Sequence, residues 1–118
     1  MYAEGGKGDD TVGITADILN VEGEAELEAE GGKGLDEVTL ELLSVDVSKE
    51  GSLDAKAEGG PGDDRLTVNA DVVSILAGAE VFVKVEGGPG EDTLEVILGD
   101  EIYVDDDAIV VIEIEDKE

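Results

Sequence analysis

The sequence predicts an all-β fold, a right-handed parallel β-helix (β-solenoid) of about four coils, with three short strands per coil. A glycine-rich segment recurs four times in the 118 residues, with its first glycine at positions 5, 31, 59 and 87. Steps of 26, 28 and 28 residues are typical of stacked supersecondary units. After each segment, apolar and polar residues alternate with a period of two. That period indicates a strand with one buried face.

The first strand of each coil follows the glycine-rich segment, and its inward positions are apolar in every copy. They are Val12, Ile14 and Ala16; Val38, Leu40 and Leu42; Leu66, Val68 and Ala70; and Leu94, Val96 and Leu98. Mostly Thr, Glu, Arg and Asn stand between them. Parallel stacking of these strands would give one dry face and one wet face.

Two further strands complete each coil. A corner is predicted at Asp17, Leu43, Asp71 and Gly99. The second strand then carries paired apolar residues at Leu19 and Val21, Val45 and Val47, and Val73 and Ile75, with a slip of one residue to Ile102 and Val104 in the fourth coil. We interpret the slip as a bulge or as a relaxed register.

A second corner, marked by Gly23, Gly51 and Gly78, leads to the third strand. Its inward residues run from Ala25, Leu27 and Ala29 in the first coil to Val110, Ile112 and Ile114 in the last. We expect one repeat domain, residues 1–118, with coils at approximately 1–28, 29–56, 57–84 and 85–118. At about 4.8 Å per coil the stack would be roughly 20 Å long, and three strands per coil predict a three-sided cross-section.

Two other folds are less compatible with the sequence than the solenoid. The 17 glycines and the dense alternation of Val, Ile and Thr disfavour helix. An antiparallel β-sandwich could use the glycine-rich segments as hairpin turns, but it gives no reason for the same apolar offsets to recur after each of them. Parallel strands joined by crossovers are right-handed in nearly all proteins, which sets the predicted hand.

The composition points to cations as partners. Acidic residues outnumber basic ones 33 to 7, for a net charge of −26, which opposes binding to nucleic acid and to anionic membranes. There is no Cys and no His, so thiolate metal sites and the commonest general base are missing. Ser44, Ser48, Ser52 and Ser74 have no catalytic motif around them. We therefore expect a protein that is not an enzyme.

The four glycine-rich segments share one pattern. They read EGGKGDDTV, EGGKGLDEV, EGGPGDDRL and EGGPGEDTL, beginning at Glu4, Glu30, Glu58 and Glu86. Numbered from the first glycine, Gly occupies positions one, two and four, Asp position six and an aliphatic residue position eight. This pattern resembles the calcium-binding glycine-acid nonapeptide (GGxGxDxUx) of RTX-type proteins. The resemblance covers about a third of the chain and implies calcium-driven folding.

Calcium suits these residue types on physical grounds as well. It takes six to eight oxygen ligands at about 2.3–2.6 Å from carboxylates and backbone carbonyls. One loop supplies part of such a shell, and two loops stacked one coil apart could share an ion, so about three Ca²⁺ ions are expected. The candidate ligand residues are Gly5, Gly6, Gly8, Asp9 and Asp10; Gly31, Gly32, Gly34 and Asp36; Gly59, Gly60, Gly62, Asp63 and Asp64; and Gly87, Gly88, Gly90 and Asp92.

The loops depart from the RTX pattern in two ways. RTX nonapeptides usually follow one another directly, whereas roughly nineteen other residues separate these copies. The spacing therefore favours a single row of ions in a three-sided solenoid over the family's flattened roll. Leu35 stands at position five, where the other copies have Asp9, Asp63 and Glu91. If that side chain helps to bind, the sites beside Leu35 should be weaker.

Other interpretations stay open at the level of sequence. The loops could be tight corners whose Asp side chains cap backbone amides, in a structural or display module, or adhesin-like module, that binds no metal. The glutamates at 4, 30, 58 and 86 could be outer ligands or a solvated face. Asp105, Asp106 and Asp107 could bind a cation or form a solvated turn.

The regular core, the varied Glu and Lys surface and the missing Cys, His and Trp resemble a designed, idealised protein. Met1 leads into the first repeat without an apolar leader segment. A secreted location would be expected of a natural protein of this kind. We expect a monomer, and an end-to-end dimer of stacked end coils is the open alternative.

Overall fold

The structure, a computed structural model, describes residues 2–17 and 19–115. These residues form ten strands. They are β1 (Tyr2–Lys7), β2 (Thr11–Ala16), β3 (Leu19–Val21), β4 (Glu24–Lys33), β5 (Glu37–Val47), β6 (Ser52–Glu58), β7 (Arg65–Ile75), β8 (Glu80–Glu86), β9 (Thr93–Val104) and β10 (Ile109–Glu115).

The strands form two parallel sheets that face each other. One has the order β1-β4-β6-β8-β10, and the other has the order β2-β5-β7-β9, with β3 also paired to β5. Every neighbouring pair is parallel and joins equivalent strands of successive coils. The predicted all-β parallel β-solenoid of about four turns is confirmed.

The register follows the repeat read from the sequence. Val12 pairs with Val38, Val38 with Leu66, and Leu66 with Leu94. Because each inward position stacks on its own equivalent, apolar side chains continue through the stack. They form one core between the sheets, which is fully buried at Val38, Leu40, Leu53 and Leu66.

The cross-section corrects one expectation, because it has two sheets rather than three sides. Separate first and second strands occur in the first coil, as β2 and β3; in later coils they are continuous as β5, β7 and β9. The predicted corner survives only as a break in alternation. Leu42 and Ser44 pair with Ala70 and Val72, while Leu43 between them has no partner in the register. Ladder pairing on both sides of Leu43 keeps the strand continuous.

The slip predicted in the fourth coil is confirmed. Val73 pairs with Ile102 and Ile75 with Val104, and the register shifts between Ala70 and Val72. The molecule measures 41 × 22 × 22 Å. An 11-residue strand such as β5 spans about 36 Å, so the long dimension lies along the strands and the stack accounts for one short dimension.

Candidate metal centre

The four glycine-rich loops lie in one column at one edge of the solenoid, directly hydrogen-bonded to one another. The amide of each position-four glycine donates to the position-three carbonyl of the next coil, from Gly8 to Lys33 at 3.0 Å, Gly34 to Pro61 at 3.1 Å and Gly62 to Pro89 at 3.0 Å. Loop separation is therefore set by backbone contact.

Glycine is required at positions two and four for two reasons. Gly32 and Gly34 have φ angles of 93° and 120°, a region that other residues rarely adopt. A Cβ on either residue would also collide with the carbonyl oxygen of Gly6 or Gly8 in the preceding coil. Close approach of successive loops thus depends on the missing side chains.

The aspartates at position six form a second ladder along the column. The amide of Asp10 donates to Oδ1 of Asp36 at 2.8 Å, that of Asp36 to Oδ1 of Asp64 at 2.9 Å, and that of Asp64 to Oδ1 of Asp92 at 2.8 Å. One oxygen of each upper carboxylate therefore caps the amide below. This is the amide-capping role expected of these residues in a purely structural loop.

The second carboxylate oxygen is in a different position. Oδ2 of Asp10, of Asp36 and of Asp64 is buried and accepts no hydrogen bond from the part of the chain that the structure describes. Asp36 and Asp64 are only 4% and 3% exposed. A buried oxygen of an ionised carboxylate without a donor or a cation is costly.

A backbone carbonyl borders the same space as each of these oxygens. The point where a Cβ on Gly31 would lie is 2.8 Å from Oδ2 of Asp36 and 2.9 Å from the carbonyl oxygen of Gly59 in the next coil. The equivalent point on Gly59 is 2.6 Å from Oδ2 of Asp64 and 2.8 Å from the Gly87 carbonyl. The Asp Oδ2 and a carbonyl oxygen of the next coil, both oxygen acceptors, therefore pack against the same position-one glycine.

The pKa of Asp64, in the middle of the column, reflects its burial among other carboxylates. Burial raises the pKa of Asp64 to about 6, against the lowering effect of the Asp36 amide hydrogen bond, and the neighbouring carboxylates of Asp92, Asp36 and Asp63 add to the rise. The charged form of Asp64 is thus disfavoured in the metal-free fold.

Position five forms a third ladder, which runs in the opposite sense and is interrupted. Oδ1 of Asp9 accepts the Leu35 amide at 2.9 Å, and Oδ1 of Asp63 accepts the Glu91 amide at 2.8 Å. Leu35 has no acceptor atom to offer the amide of Asp63. Side chains of positions five to seven line an open groove of about 420 Å³ beside this column.

A separate acidic cluster lies on the outer face of the β1-β4-β6 sheet. Carboxylate oxygens of Glu28, Glu30 and Glu58 lie within 4.8 Å of one another, and all three residues are half-buried. This group could bind a metal. Sequence analysis placed Glu30 and Glu58 in one column but missed Glu28, which is two residues before Glu30 and so shares its face of the strand.

The glutamate cluster already has hydrogen-bond donors and a cation nearby. The Tyr2 hydroxyl donates to Oε2 of Glu30 at 2.6 Å, which lowers the pKa of Glu30. The hydrogen bond between Glu28 and Glu30 raises the pKa of Glu28. Lys56 Nζ lies 3.3 Å from Oε2 of Glu58. The cluster is therefore partly compensated, unlike the buried oxygens of the loop column.

The acidic turn at the opposite edge of the last coil is a simple turn. The Asp106 amide donates to Oδ1 of Asp105 at 2.9 Å, and the Ala108 amide donates to the Asp105 carbonyl at 3.1 Å. This geometry accords with a solvated turn.

Comparisons with known proteins add no relative. No family model, curated protein or solved structure matches this chain. The likeness to RTX repeats therefore depends on the loop residues alone. Among residues 2–17 and 19–115, no helix is long and apolar enough to cross a membrane.

All eighteen residues predicted as ligands lie in the stacked loops, each in a column with its equivalents. The structure adds what each carboxylate does. In Asp36 and Asp64, Oδ1 caps an amide, while Oδ2 is buried against a position-one glycine. The sequence had no means of separating these two roles, since both use the same residue at the same position.

Proposed function

We propose that this chain is a non-enzymatic calcium-binding β-solenoid in which Ca²⁺ ions held by the stacked loops are coupled to folding. The observation that carries the proposal is the pair of buried Oδ2 atoms of Asp36 and Asp64, which accept no hydrogen bond in the described part of the chain. A bound cation would remove the cost of these buried charges. The regular register also supports a designed origin, which remains part of the proposal.

The ligand set favours calcium over other metals. The column offers carboxylate and backbone carbonyl oxygens and, in a sequence without His or Cys, no nitrogen or sulfur ligand from those residues. Calcium accepts such ligands in variable geometry, whereas Mg²⁺ demands a near-octahedral shell and retains several waters. Asp10, Asp36, Asp64 and Asp92 would contribute carboxylates, and the loop glycines would contribute carbonyls.

Binding of this kind would add directly to the stability of the fold. A site filled at about 100 times its dissociation constant adds about 2.7 kcal/mol if the unfolded chain does not bind. Three ions would also offset six of the 26 net negative charges at the place where carboxylates are closest.

Calorimetric titration with CaCl₂ tests the proposal, together with circular dichroism in EGTA and after addition of excess calcium. We expect saturable binding, loss of β signal or of melting temperature in EGTA, and recovery with calcium. Identical melting curves with and without chelator would contradict the coupling.

Variants locate the ions. D64N should reduce bound calcium more than D10N, because Asp64 has a loop on each side and Asp10 has one only above it. The double variant E28Q/E30Q should leave binding unchanged. If E28Q/E30Q abolishes binding and D64N does not, the metal belongs to the glutamate cluster and the loop assignment is wrong.

A structural or display module that binds no metal is the competing function. The specific observation in its favour is that Oδ1 of Asp36, Asp64 and Asp92 each caps an amide of the coil below. Under that function calcium titration would show no saturable heat, and D64N would have the same effect in calcium and in EGTA.

A further inference from the structure

The last coil exposes apolar side chains that point along the core. Leu98 on β9 is 56% exposed and Ile114 on β10 is 52% exposed. Their equivalents one coil below, Ala70 and Val85, are buried. The inward residues of β9 and β10 have a neighbouring coil on one side only.

Four apolar side chains are also exposed at outward positions of this coil, among exposed glutamates such as Glu95 and Glu113. Ile97, Tyr103, Ile109 and Val111 are all exposed. Three of their partners one coil below are the polar residues Asn69, Ser74 and Glu80, while the partner of Val111 is the exposed Phe82. Exposed apolar side chains concentrated in one terminal coil are a candidate interaction surface.

The described inward side chains of β2 and β3 in the first coil, at the other end, are not exposed in this way. Val12, Ile14 and Val21 are 6%, 4% and 3% exposed, although β2 and β3 lie at the end of their sheet. Among the residues that the structure describes, the inward side chains of the last coil are therefore more exposed than those of β2 and β3.

We propose that the last coil is a self-association surface, on which a second copy of this chain packs its own last coil across a two-fold axis. An isologous contact of this type is the commonest closed assembly. It would extend both sheets at once through the outer edges of β9 and β10, each of which pairs with a described strand on one side only.

A second copy fits this surface better than a single peptide strand. β9 has twelve residues and β10 has seven, and the two edges belong to facing sheets. One extended peptide covers one edge, whereas the same end of another copy presents both edges at the same separation. With extents of 41 by 22 Å across the stack, the end has a footprint on the order of 800 Å², the area that each partner contributes to a standard interface.

Head-to-tail stacking on the first coil is disfavoured for two reasons. Its inward residues Val12, Ile14 and Val21 are already buried, so they offer little apolar area to a partner. In addition, β9 carries the extra residue that shifts its register against β7. An open head-to-tail contact would also propagate into fibres.

Charge sets the conditions for the assembly. Each copy carries a net charge of −26, so two copies repel at low ionic strength and salt should favour their association. The contact proposed for β9 and β10 is made by their apolar inward side chains and strand edges and needs no loop carboxylate, so it does not depend on bound calcium.

Sedimentation velocity over a range of protein concentrations tests this inference, at about 0.15 M and about 1 M NaCl, in calcium buffer where circular dichroism shows the fold. We expect a dimer of twice the monomer mass that strengthens with salt. L98Q should raise the dissociation constant at least about tenfold, because the change acts twice in a symmetric interface. L35Q is the matched control, since Leu35 is also 56% exposed but lies in a loop, and it should leave dimerisation unchanged.

Hydrogen exchange identifies the surface in the same samples, and I114Q serves as the second interface variant if L98Q fails to fold. Amides of β9 and β10 should exchange several-fold more slowly at high protein concentration, and those of β1 to β3 should not change. A monomer at every concentration and salt would overturn the inference. So would protection of both ends, fibres, or equal dimerisation of L98Q, I114Q and wild type.

Discussion

At the residue scale, the loop motif combines a glycine and an aspartate that occupy one small space. The carboxylate at position six packs against the Cα of the position-one glycine of its own loop, and its other oxygen reaches the amide of the loop below. Glycine at position one is thus explained by side-chain packing. The positive φ angles occur at positions two and four.

Replacing Gly59 by Ala should therefore destabilise the fold by about 2–3 kcal/mol or more, since overpacking forces neighbouring atoms to move. Its Cβ would lie 2.6 Å from Oδ2 of Asp64 and 2.8 Å from the Gly87 carbonyl. Urea unfolding measures the change. Gly23 is the matched control, because a Cβ there meets nothing within 4 Å. Gly23→Ala should be neutral or stabilising by about 0.4–1 kcal/mol, and equal losses at both positions would contradict the packing argument.

Asp64 should make the metal-free protein less stable as pH rises. Its folded pKa of about 6 lies above the ordinary value of 3.8, so between these values the folded state holds a proton that the unfolded state has lost. Stability from this group is present at low pH and declines as pH rises to about 6, by at most about 3 kcal/mol.

Urea unfolding of D64N and wild type in EGTA, from about pH 4 to pH 8, checks the predicted decline of stability with pH. D64N should have a shallower decline and should be the more stable protein above pH 6, because its amide can donate toward the Gly87 carbonyl. D46N removes an exposed charge and should keep the wild-type slope. If the unfolding free energy of D64N falls with pH as steeply as that of wild type, Asp64 is not the cause of the decline.

At the scale of the element, each loop is joined to its neighbours by three ladders, and one of them is broken. The position-three to position-four backbone ladder and the position-six aspartate ladder are continuous. The position-five ladder operates between coils one and two and between coils three and four. It fails between coils two and three, because Leu35 has no acceptor.

Leu35→Asn should repair this ladder by accepting the Asp63 amide, and should stabilise the fold by about 0.5–1.5 kcal/mol. Little apolar burial is lost, since Leu35 is largely exposed. Thermal unfolding compares Asn with Leu35→Ala, which has no acceptor and should show no gain. If Ala stabilises as much as Asn, the effect comes from removing the exposed leucine and not from the hydrogen bond.

At the scale of the whole molecule, a solenoid stacks like charges on like charges. Glu4, Glu30, Glu58, Glu86 and Glu115 form one outer column. Lys56 and Lys84 in the adjacent column lie 3.3 Å from Glu58 and 3.8 Å from Glu86. These pairs offset only part of the net charge of −26, so repulsion opposes the compact state.

Salt should therefore raise the melting temperature of the metal-free protein. We expect a progressive rise between about 0.05 M and 0.5 M NaCl in EGTA, as the screening length falls below the distance between columns. Choline chloride should act equally, because the effect is one of ionic strength. A melting temperature that does not rise with either salt would show that repulsion is not limiting.

The sequence by itself determined the repeat, the parallel register and the columns of loop residues. A residue such as Val38 is apolar at a fixed offset from its loop, and stacking of equal coils then places it on Val12 and beneath Leu66. The length of the repeat and the alternation of apolar and polar residues are visible in the order of the residues. They can therefore be read without knowing where each side chain lies.

Only the tertiary structure decided the rest. Ladder pairing continues on both sides of Leu43, so the predicted first and second strands join and the three predicted sides become two sheets. The spacing of successive loops decides that Oδ1 of Asp64 reaches an amide while Oδ2 is buried against Gly59. The end of the stack leaves Leu98 uncovered. Each of these three features depends on distances between coils. The order of residues along one coil does not specify those distances.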